Sequence, residues 1–317
     1  MIDERKCAVV GVGNVGATIA YTYTMSGLFS EMVLIDKDKD RARGEAMDLS
    51  HGLPFLSPMN VYAGSYADVS DAALIVIAAG AAQKPGETRL QLLQKNMQIF
   101  EDIVGQIVRY NRDAILLVVT NPVDILTYYT LKISGYPPNR VIGSGTVLDT
   151  ARLKQLLGAL LAVDSRNVHT FIIGEHGDSE LPVWSSANIS GVDLADFCRI
   201  SGNTHGMETI QRIFLDVRDS AYHIIECKGA TYYAIGQAVL RITSSIMRDE
   251  NSVLPVSTLV SGHYGLSDVC LGVPSVLGVG GVKKILDIPL NDSEKAQLKA
   301  SADVIQEQLA SLETLTV

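Results

Sequence analysis

The sequence contains few cysteines and no long hydrophobic run. Its four cysteines are scattered over 317 residues, and none lies in a C-x-x-C pair. In a chain of this size, that pattern is typical of reduced thiols and argues against a disulfide framework or a metal site. A signal peptide needs a longer apolar segment near the N-terminus, and a membrane-spanning helix needs about 20 apolar residues. We therefore expect a cytoplasmic protein.

Positive charge is also scarce. The 26 lysines and arginines face 35 aspartates and glutamates, which gives a net charge of −9. Such a chain repels nucleic-acid backbones and anionic lipid surfaces, so neither is expected as a partner. An anionic small-molecule substrate would require a local cationic pocket. Isolated arginines beside glycine-rich or histidine-bearing segments are the candidates for that pocket.

The first half of the chain alternates short apolar runs with longer helical stretches. Four runs rich in branched residues have the composition of strands buried on both faces of a parallel sheet. These runs are Cys7–Val10, Met32–Ile35, Leu74–Ile77 and Ile115–Val119. Between them, Val15–Gly27 and Arg89–Arg109 have the lengths of crossover helices. The alternation predicts a doubly wound α/β domain over residues 1–145.

The second half, residues 146–317, has the pattern of an α+β domain. Val168–Ile173 is predicted to form a strand, and Glu180–Trp184 to begin its partner. Three stretches have helical periodicity. They are Gly206–Glu226, Ala230–Met247 and the amphipathic Ser293–Leu312. Asn291, Asp292 and Ser293 are alternative N-caps for the last helix.

A glycine-rich turn, Gly11–Gly16, directly follows the first predicted strand and opens a helix. Glycines there allow a tight turn and let backbone N–H groups approach a pyrophosphate. Asp36 ends the second strand 20 residues after Gly16, the spacing of a carboxylate that binds the adenosine ribose. The carboxylate would repel a 2′-phosphate, so the pattern favours NAD over NADP. The alternative is an ordinary βα turn with a surface aspartate.

His176 lies between two glycines after an apolar run, where packing explains it poorly. Imidazole can donate a proton to a carbonyl oxygen at neutral pH, and a carboxylate such as Asp149 could orient it. Arg152 follows Asp149 by three residues and could hold a substrate carboxylate with two hydrogen bonds. The alternatives are a hydrogen-bonded loop histidine and a structural i, i+3 ion pair. The polar segment Gly80–Arg89 is either an exposed loop or a lid that carries Arg89.

Together these segments resemble the lactate/malate dehydrogenase family, bacterial members above all, over nearly the whole chain. The motifs that carry the resemblance are Gly11–Gly16, Gly80–Arg89, Thr120–Asp124, Gly143–Arg152, Ile173–Asp178 and Lys228–Tyr233. The resemblance implies a Rossmann NAD domain followed by a catalytic domain. It also implies reversible reduction of a 2-keto acid, with pyruvate and L-lactate as the leading pair, in glycolysis and fermentation.

The family pattern implies roles for individual residues. His176 would exchange the proton, Asp149 would orient it, and Arg89 would polarise the carbonyl after loop closure. The implied substrate-binding set is Gln83, Arg89, Asn121, Arg152 and Thr231. The implied NAD-binding set is Gly11, Gly13, Val15, Asp36, Gly80, Ala81 and Asn121, with Arg41, Tyr66 and Ser144 as lesser candidates.

Two departures from family patterns bear on regulation and assembly. A candidate effector site for fructose 1,6-bisphosphate would use His169 and an arginine two residues after Arg152, but this chain has Lys154 there. Lysine keeps the charge and loses the bidentate fork, so activation is either weaker or absent. The first strand begins almost at once, so we expect no long N-terminal arm. The resemblance still implies a homotetramer.

Position 83 separates the members of the family. Malate dehydrogenases resemble this loop but have an arginine there that pairs with the second carboxylate of oxaloacetate, whereas Gln83 is neutral. A desolvated carboxylate without a cationic partner costs several kcal/mol, so lactate dehydrogenation is favoured. Another L-2-hydroxy-acid or malate dehydrogenase remains an alternative. A non-catalytic NAD sensor is a remote one, because it would be expected to lose Arg89, Arg152 or His176.

The Gln83→Arg substitution tests this interpretation of the loop. We expect the ratio of oxaloacetate to pyruvate reduction to rise by at least about tenfold, since a new charge pair of about 1.4 kcal/mol corresponds to that factor. The ratio of the two kcat/KM values, followed by NADH absorbance, gives the answer. An unchanged ratio would mean that position 83 does not face the substrate.

Overall fold

The computed structural model describes residues 2–81, 89–202 and 207–313, except for the side chains of Arg89, Met207 and Glu313. The chain forms two compact units. The first consists of Met1–Ser144, Tyr232–Ser252 and Val276–Lys284, and the second of Gly145–Thr231, Val253–Ser275 and Ile285–Val317. The chain therefore leaves the first unit after Ser144 and returns to it twice. A single domain boundary near residue 145 stays a prediction.

Six parallel strands form the centre of the first unit. They are β1 (Asp3–Val10), β2 (Glu31–Ile35), β3 (Asn60–Ala63), β4 (Ala72–Ile77), β5 (Ile115–Val118) and β6 (Val141–Gly143). Their order in the sheet is β6-β5-β4-β1-β2-β3. This is the doubly wound order, in which the winding reverses between β1 and β4. The predicted fold class is confirmed, and ligands of such sheets bind beyond the carboxyl ends of the strands.

Burial explains why four of these strands were predictable and two were not. The central residues of β1, β2, β4 and β5 are buried on both faces, which gives the continuous apolar runs. Strand β3 has only one buried residue, and β6 is only three residues long, so neither produces a run.

The helices of the first half cross between strands. They are α1 (Asn14–Ser26), α2 (Lys39–Gly52), α3 (Arg89–Tyr110) and α4 (Val123–Ser134). Gly27 and Gly135 end α1 and α4 in the left-handed conformation, at φ 66° and φ 65°. The two predicted crossover helices agree with α1 and α3 to within a residue at each end.

Within its described residues, the second half mixes helices with five two-residue strands in antiparallel pairs and with three longer strands, the last three in the chain, which extend the large sheet beyond β6. In chain order these are α5 (Val147–Leu161), β7 (Val168–His169), β8 (Ile172–Ile173), β9 (Leu181–Pro182), β10 (Asn188–Ile189), β11 (Val192–Asp193), α6 (Leu194–Ile200), α7 (Met207–Lys228), α8 (Tyr233–Met247), β12 (Ser252–Ser261), β13 (Ser267–Gly278), β14 (Gly281–Ile285) and α9 (Asp292–Glu313). The prediction of one strand over Val168–Ile173 was wrong. β7 pairs with β10, whereas β8 pairs with β9.

The N-cap of α9 is Asn291. Its side-chain Oδ1 accepts the backbone N–H of Glu294 at 2.9 Å, and Glu294 in turn accepts the N–H of Asn291 at 2.9 Å. This reciprocal pair is a capping box, which decides among the three caps that the sequence allowed. Within the described residues, no helix combines the length and apolar character required to cross a membrane.

Candidate active site

The glycines of the turn after β1 are needed for different physical reasons. Gly11 has φ +89°, and a Cβ there would lie 2.4 Å from the backbone of Ala79. A Cβ on Gly16 would lie 1.8 Å from the carbonyl oxygen of Gly11, so this glycine lets α1 pack against the turn. Among the described residues, a Cβ on Gly13 would meet no atom within 4 Å. Protein packing therefore requires Gly11 and Gly16 but leaves the space above Gly13 open.

The open space at Gly13 fits a bound dinucleotide. Gly13 is the N-cap of α1, and no side chain caps the helix there. The first N–H groups of a helix attract anions, so a pyrophosphate fits this position. Val15, also predicted to contact NAD, lies half-buried in the first turn of the helix. The residues present thus fit the pyrophosphate of NAD.

Asp36 connects the end of β2 to the same turn. Its Oδ2 accepts the backbone N–H of Val12 at 2.8 Å, and its Oδ1 accepts the N–H of Asp38 at 3.0 Å. Carboxylate oxygens have further lone pairs, so Asp36 can still accept ribose hydroxyls. Burial, followed by the negative charges of Asp102 and Asp36, raises the pKa of Tyr66 to about 12. Arg41 is exposed on α2.

Asn96 holds two predicted NAD-contacting segments together, and sequence reasoning missed it. Its side-chain oxygen accepts the N–H of Ala81 at 2.7 Å, and its amide nitrogen donates to the carbonyl of Asn121 at 3.3 Å. Gly80 is equally constrained, since a Cβ there would lie 2.4 Å from Cγ2 of Thr120. Asn96 is only 1% exposed on α3. A buried amide on an otherwise apolar helix face was the available signal.

The second unit brings three predicted catalytic residues together. Nδ1 of His176 lies 2.6 Å from Oδ2 of Asp149, and Nη1 of Arg152 donates to Oδ1 of Asp149 at 2.8 Å. The i, i+3 ion pair and the Asp–His pair, which the sequence offers as alternatives, both exist on this one carboxylate. Within the described part of the chain, Asp149 is the only hydrogen-bond partner of the Arg152 guanidinium. The remaining guanidinium N–H groups can therefore bind a substrate anion.

Helix α5 places Asp149 through its buried stripe. Leu153, Leu157 and Leu161 follow Asp149 at intervals of four residues, and all are buried in the core of the second unit. Residues four apart share a helix face, so the same packing that buries the leucines buries the carboxylate. Burial disfavours its charge, but His176 and then Arg152 lower the pKa of Asp149 below its usual value.

Two threonines fix α5 to the strand that leads to His176. Thr146 donates to the carbonyl of Ile172 at 2.6 Å, and the hydroxyl oxygen of Thr150 accepts the N–H of Ile172 at 2.9 Å. Both threonines are buried. They satisfy backbone groups that would otherwise be unpaired, and they set the distance between Asp149 and the histidine loop.

The loop before His176 is held from two sides. Gly174 forms a reciprocal pair of 2.9 Å backbone hydrogen bonds with Gly272, and the N–H of Glu175 donates to Oγ of Ser301 at 2.8 Å. Gly174 has φ +96°, and a Cβ there would lie 2.7 Å from that same Oγ. Only glycine fits this approach, so the chain reaches His176 in a fixed direction.

Glu180 is a fourth member of the cluster that sequence reasoning missed. It is 6% exposed, and one of its oxygens lies within 4.8 Å of ligand atoms of Asp149 and His176. Three such groups could surround one cation, but Asp149 already pairs with the guanidinium of Arg152. That ion pair favours a proton-carrying cluster over a metal site.

The remaining predicted residues have varied surroundings. Ser144 is buried, with its N–H donated to Val118 at 2.9 Å. Thr231 is half-buried between α7 and α8. For the candidate effector pair, His169 is exposed on β7, and burial lowers the pKa of Lys154 on α5. Gln83 and the side chain of Arg89 lie outside the described residues.

Comparison with known protein families agrees with this arrangement. Residues 5–143 match the NAD-binding domain of lactate/malate dehydrogenases, and residues 146–315 match the α/β C-terminal domain of the same enzymes. The chain belongs to the lactate/malate dehydrogenase family. The first match also confirms NAD as the cofactor of the first unit.

Two similar proteins are bacterial L-lactate dehydrogenases. The chain is 52% identical over 312 residues to L-lactate dehydrogenase 1 of Clostridium acetobutylicum, covering 98% of this chain and 100% of the relative. It is 52% identical over 309 residues to the L-lactate dehydrogenase of Acetivibrio thermocellus, with 98% of both chains covered.

Solved structures of the family superpose closely. A lactate dehydrogenase from a Medee basin deep-sea metagenome matches with a TM-score of 0.96 and 46% identity, over 99% of this chain and 100% of the other. The minor L-lactate dehydrogenase of Enterococcus mundtii, in a ligand-bound form, matches with a TM-score of 0.94 and 40% identity, over 97% and 98% of the two chains.

Substituting alanine for Gly13 and for Gly16 separates cofactor binding from folding. Gly13→Ala should fold normally, because its Cβ meets open space, but should weaken NADH binding at least about tenfold, or about 1.4 kcal/mol. Gly16→Ala should lower the free energy of unfolding by about 1–3 kcal/mol, because its Cβ collides with backbone. NADH fluorescence titration and urea unfolding measure the two effects. Tight NADH binding by Gly13→Ala would contradict the assignment of this turn.

Proposed function

We propose that this chain catalyses the NAD-dependent, reversible reduction of pyruvate to L-lactate. The observation that carries the proposal is the contact of His176 Nδ1 with Asp149 at 2.6 Å, on a carboxylate that also holds Arg152. This arrangement provides a proton donor beside an anion-binding group. The L-lactate dehydrogenase activity of the relatives that are 52% identical supports the same reaction.

His176 supplies the proton in this proposal. Since Nδ1 contacts Asp149, Nε2 is the nitrogen that gives a proton to the keto oxygen of pyruvate and takes it back from the hydroxyl of lactate. The carboxylate of Asp149 fixes the ring orientation and stabilises the imidazolium. The bound NADH supplies the hydride that reduces the carbonyl carbon.

Arg152 binds the substrate carboxylate through the guanidinium N–H groups that do not contact Asp149. Because Asp149 holds one end of the guanidinium, the side chain enters binding with its orientation already set, and less rotamer entropy is lost. Asn121 and Thr231 contribute polar contacts to the substrate, as the family pattern implies.

The glycine turn and its neighbours hold the cofactor. Gly11, Gly13 and Val15 bind the pyrophosphate, and Asp36 accepts the ribose hydroxyls. Secondary contacts come from Arg41, Tyr66, Gly80, Ala81, Asn121 and Ser144. The segment with Gln83 and Arg89 closes over the substrate, excludes water and places a cation on the carbonyl oxygen.

The alternatives are not favoured. Malate dehydrogenation shares the family, but the relatives with 52% identity are L-lactate dehydrogenases and Gln83 is neutral. A non-catalytic NAD sensor has no need for the cluster of Asp149, His176 and Arg152. Such a sensor would be expected to lose Arg89, Arg152 or His176, and all three are present.

We infer that the enzyme works in the cytoplasm as a homotetramer. Large apolar side chains project from the surface of the first unit, with Phe55 88%, Met25 60% and Tyr21 55% exposed. Exposed apolar clusters are typical of protein–protein interfaces. Sedimentation equilibrium should give about four times the chain mass of 34.1 kDa. A monomer mass at micromolar concentration would contradict the inference.

Replacing His176 by asparagine tests the proton transfer. We expect kcat for pyruvate reduction to fall by about 10²- to 10⁴-fold, the usual contribution of a general acid. His263 provides the matched control, because its Nδ1 also contacts an aspartate, Asp287, at 3.1 Å. His263→Asn should keep nearly full activity. Near-normal turnover by His176→Asn would refute the proposed role.

Replacing Arg152 by lysine tests the recognition of the substrate carboxylate. The change keeps the charge beside Asp149 but removes the bidentate fork, so kcat/KM for pyruvate should fall by about 10- to 150-fold, or about 1.5–3 kcal/mol. Arg199 pairs with Asp196 in the same i, i+3 arrangement at 2.8 Å on the surface. Arg199→Lys should change nothing, and equal effects of the two variants would argue against substrate binding by Arg152.

A further inference from the structure

Glu180 is a buried acid for which the proposed mechanism has no role. Its residue exposure is 6%, compared with 2% for Asp149. A carboxyl oxygen of Glu180 lies within 4.8 Å of a carboxyl oxygen of Asp149. Two buried carboxylates this close repel each other when both are charged, which favours a proton on one of them.

The surrounding charges determine which carboxyl carries the proton. Asp149 accepts from His176 and from Arg152, and both partners favour its charged form. The charges of His176 and Arg152 also act on Glu180, but its Oε1 is buried without a hydrogen-bond partner among the described residues. Arg218 on α7 also acts on Glu180 electrostatically, but it forms its hydrogen bond with Asp219. An ionised Glu180 would leave a charged oxygen buried and unpaired, which is far more costly than a neutral carbonyl oxygen.

We propose that Glu180 remains protonated in the working enzyme and donates a hydrogen bond to Asp149, and that it thereby acts as a positioning residue that tunes proton transfer by His176. The proposal rests on the proposed function, because it assumes that His176 is the proton donor. It assigns Glu180 no contact with the substrate or the cofactor.

The electrostatic balance of the pair agrees with this assignment. Burial, followed by the charge of Asp149, raises the pKa of Glu180 to about 9. The pKa of Asp149 is lowered, although burial opposes this, by His176 and Arg152. The single proton that the two carboxyls share therefore belongs on Glu180 at neutral pH.

A neutral Glu180 changes what Asp149 does to the histidine. The carboxylate of Asp149 then has three hydrogen-bond donors, His176, Arg152 and the acid O–H of Glu180. Sharing the negative charge among three donors weakens its hold on the imidazolium, so His176 releases its proton more readily. An ionised Glu180 would do the opposite, because a second negative charge would retain that proton.

The protonation state can be observed without any turnover. The infrared difference spectrum between the native enzyme and Glu180→Gln at neutral pH should contain a carboxylic-acid carbonyl band, present only in the native protein. Glu226→Gln is the matched control, since that side chain is 83% exposed on α7 and should show only a carboxylate difference. A carboxylate band in the Glu180 difference spectrum would overturn the proposal.

The pH profile of pyruvate reduction tests the effect on His176. Glutamine keeps a neutral donor toward Asp149, so Glu180→Gln should leave the alkaline midpoint of kcat/KM unchanged. Methionine removes the donor at similar length, so Glu180→Met should move the midpoint to higher pH by about one unit. A midpoint that falls in Glu180→Gln would mean that a negative charge was removed. Identical profiles for all three proteins would mean that Glu180 is only structural. Either result overturns the proposal.

The two experiments separate this inference from the proposed function. If the native enzyme does not reduce pyruvate, the proposed function fails, whereas the infrared spectrum still decides whether Glu180 is protonated. The enzyme can also reduce pyruvate, with His176→Asn inactive, while the infrared spectrum or the pH profiles of the Glu180 variants differ from expectation. In that case only the inference about Glu180 fails.

Discussion

The chemistry of this protein depends on one buried carboxylate. Asp149 holds His176 on one oxygen and Arg152 on the other, so a single charge orients both the proton donor and the anion-binding group. A buried charge is stable only when it is paired and hydrogen-bonded, and here its partners are the functional side chains. Removing Asp149 would therefore take the ion pair from Arg152 and release the ring of His176.

The fold supports this carboxylate with backbone contacts more than with further charges. Thr146 and Thr150 fix α5 to β8, and Gly174 joins the histidine loop to Gly272 on β13. Hydrogen bonds to backbone groups in a buried region are costly to lose, and they do not change with pH or salt. The site is thus held by a rigid frame, while its protons remain free to move.

Much of the fold could be predicted from the sequence, because fully buried parallel strands give continuous apolar runs. The short strand β6 and the sparsely buried β3 give no such signal. In the site, His176 between two glycines and the pair Asp149 and Arg152 were recognisable from their spacing. The contact between Asp149 and Glu180 was not, since it depends on how a loop and a helix pack. Asn96 was missed for the same reason, because its partners are backbone atoms from distant segments.

The glycine turn has a consequence for divergence within the family. Gly11 and Gly16 are required by the protein's own backbone, whereas Gly13 faces open space that the dinucleotide would fill. Selection for folding alone would preserve Gly11 and Gly16 but would not preserve Gly13. A descendant that no longer bound the cofactor would therefore keep Gly11, Gly16 and the shape of this turn, whereas the residue at position 13 would vary. Variation at this one position would then indicate the loss of redox function before the fold changed.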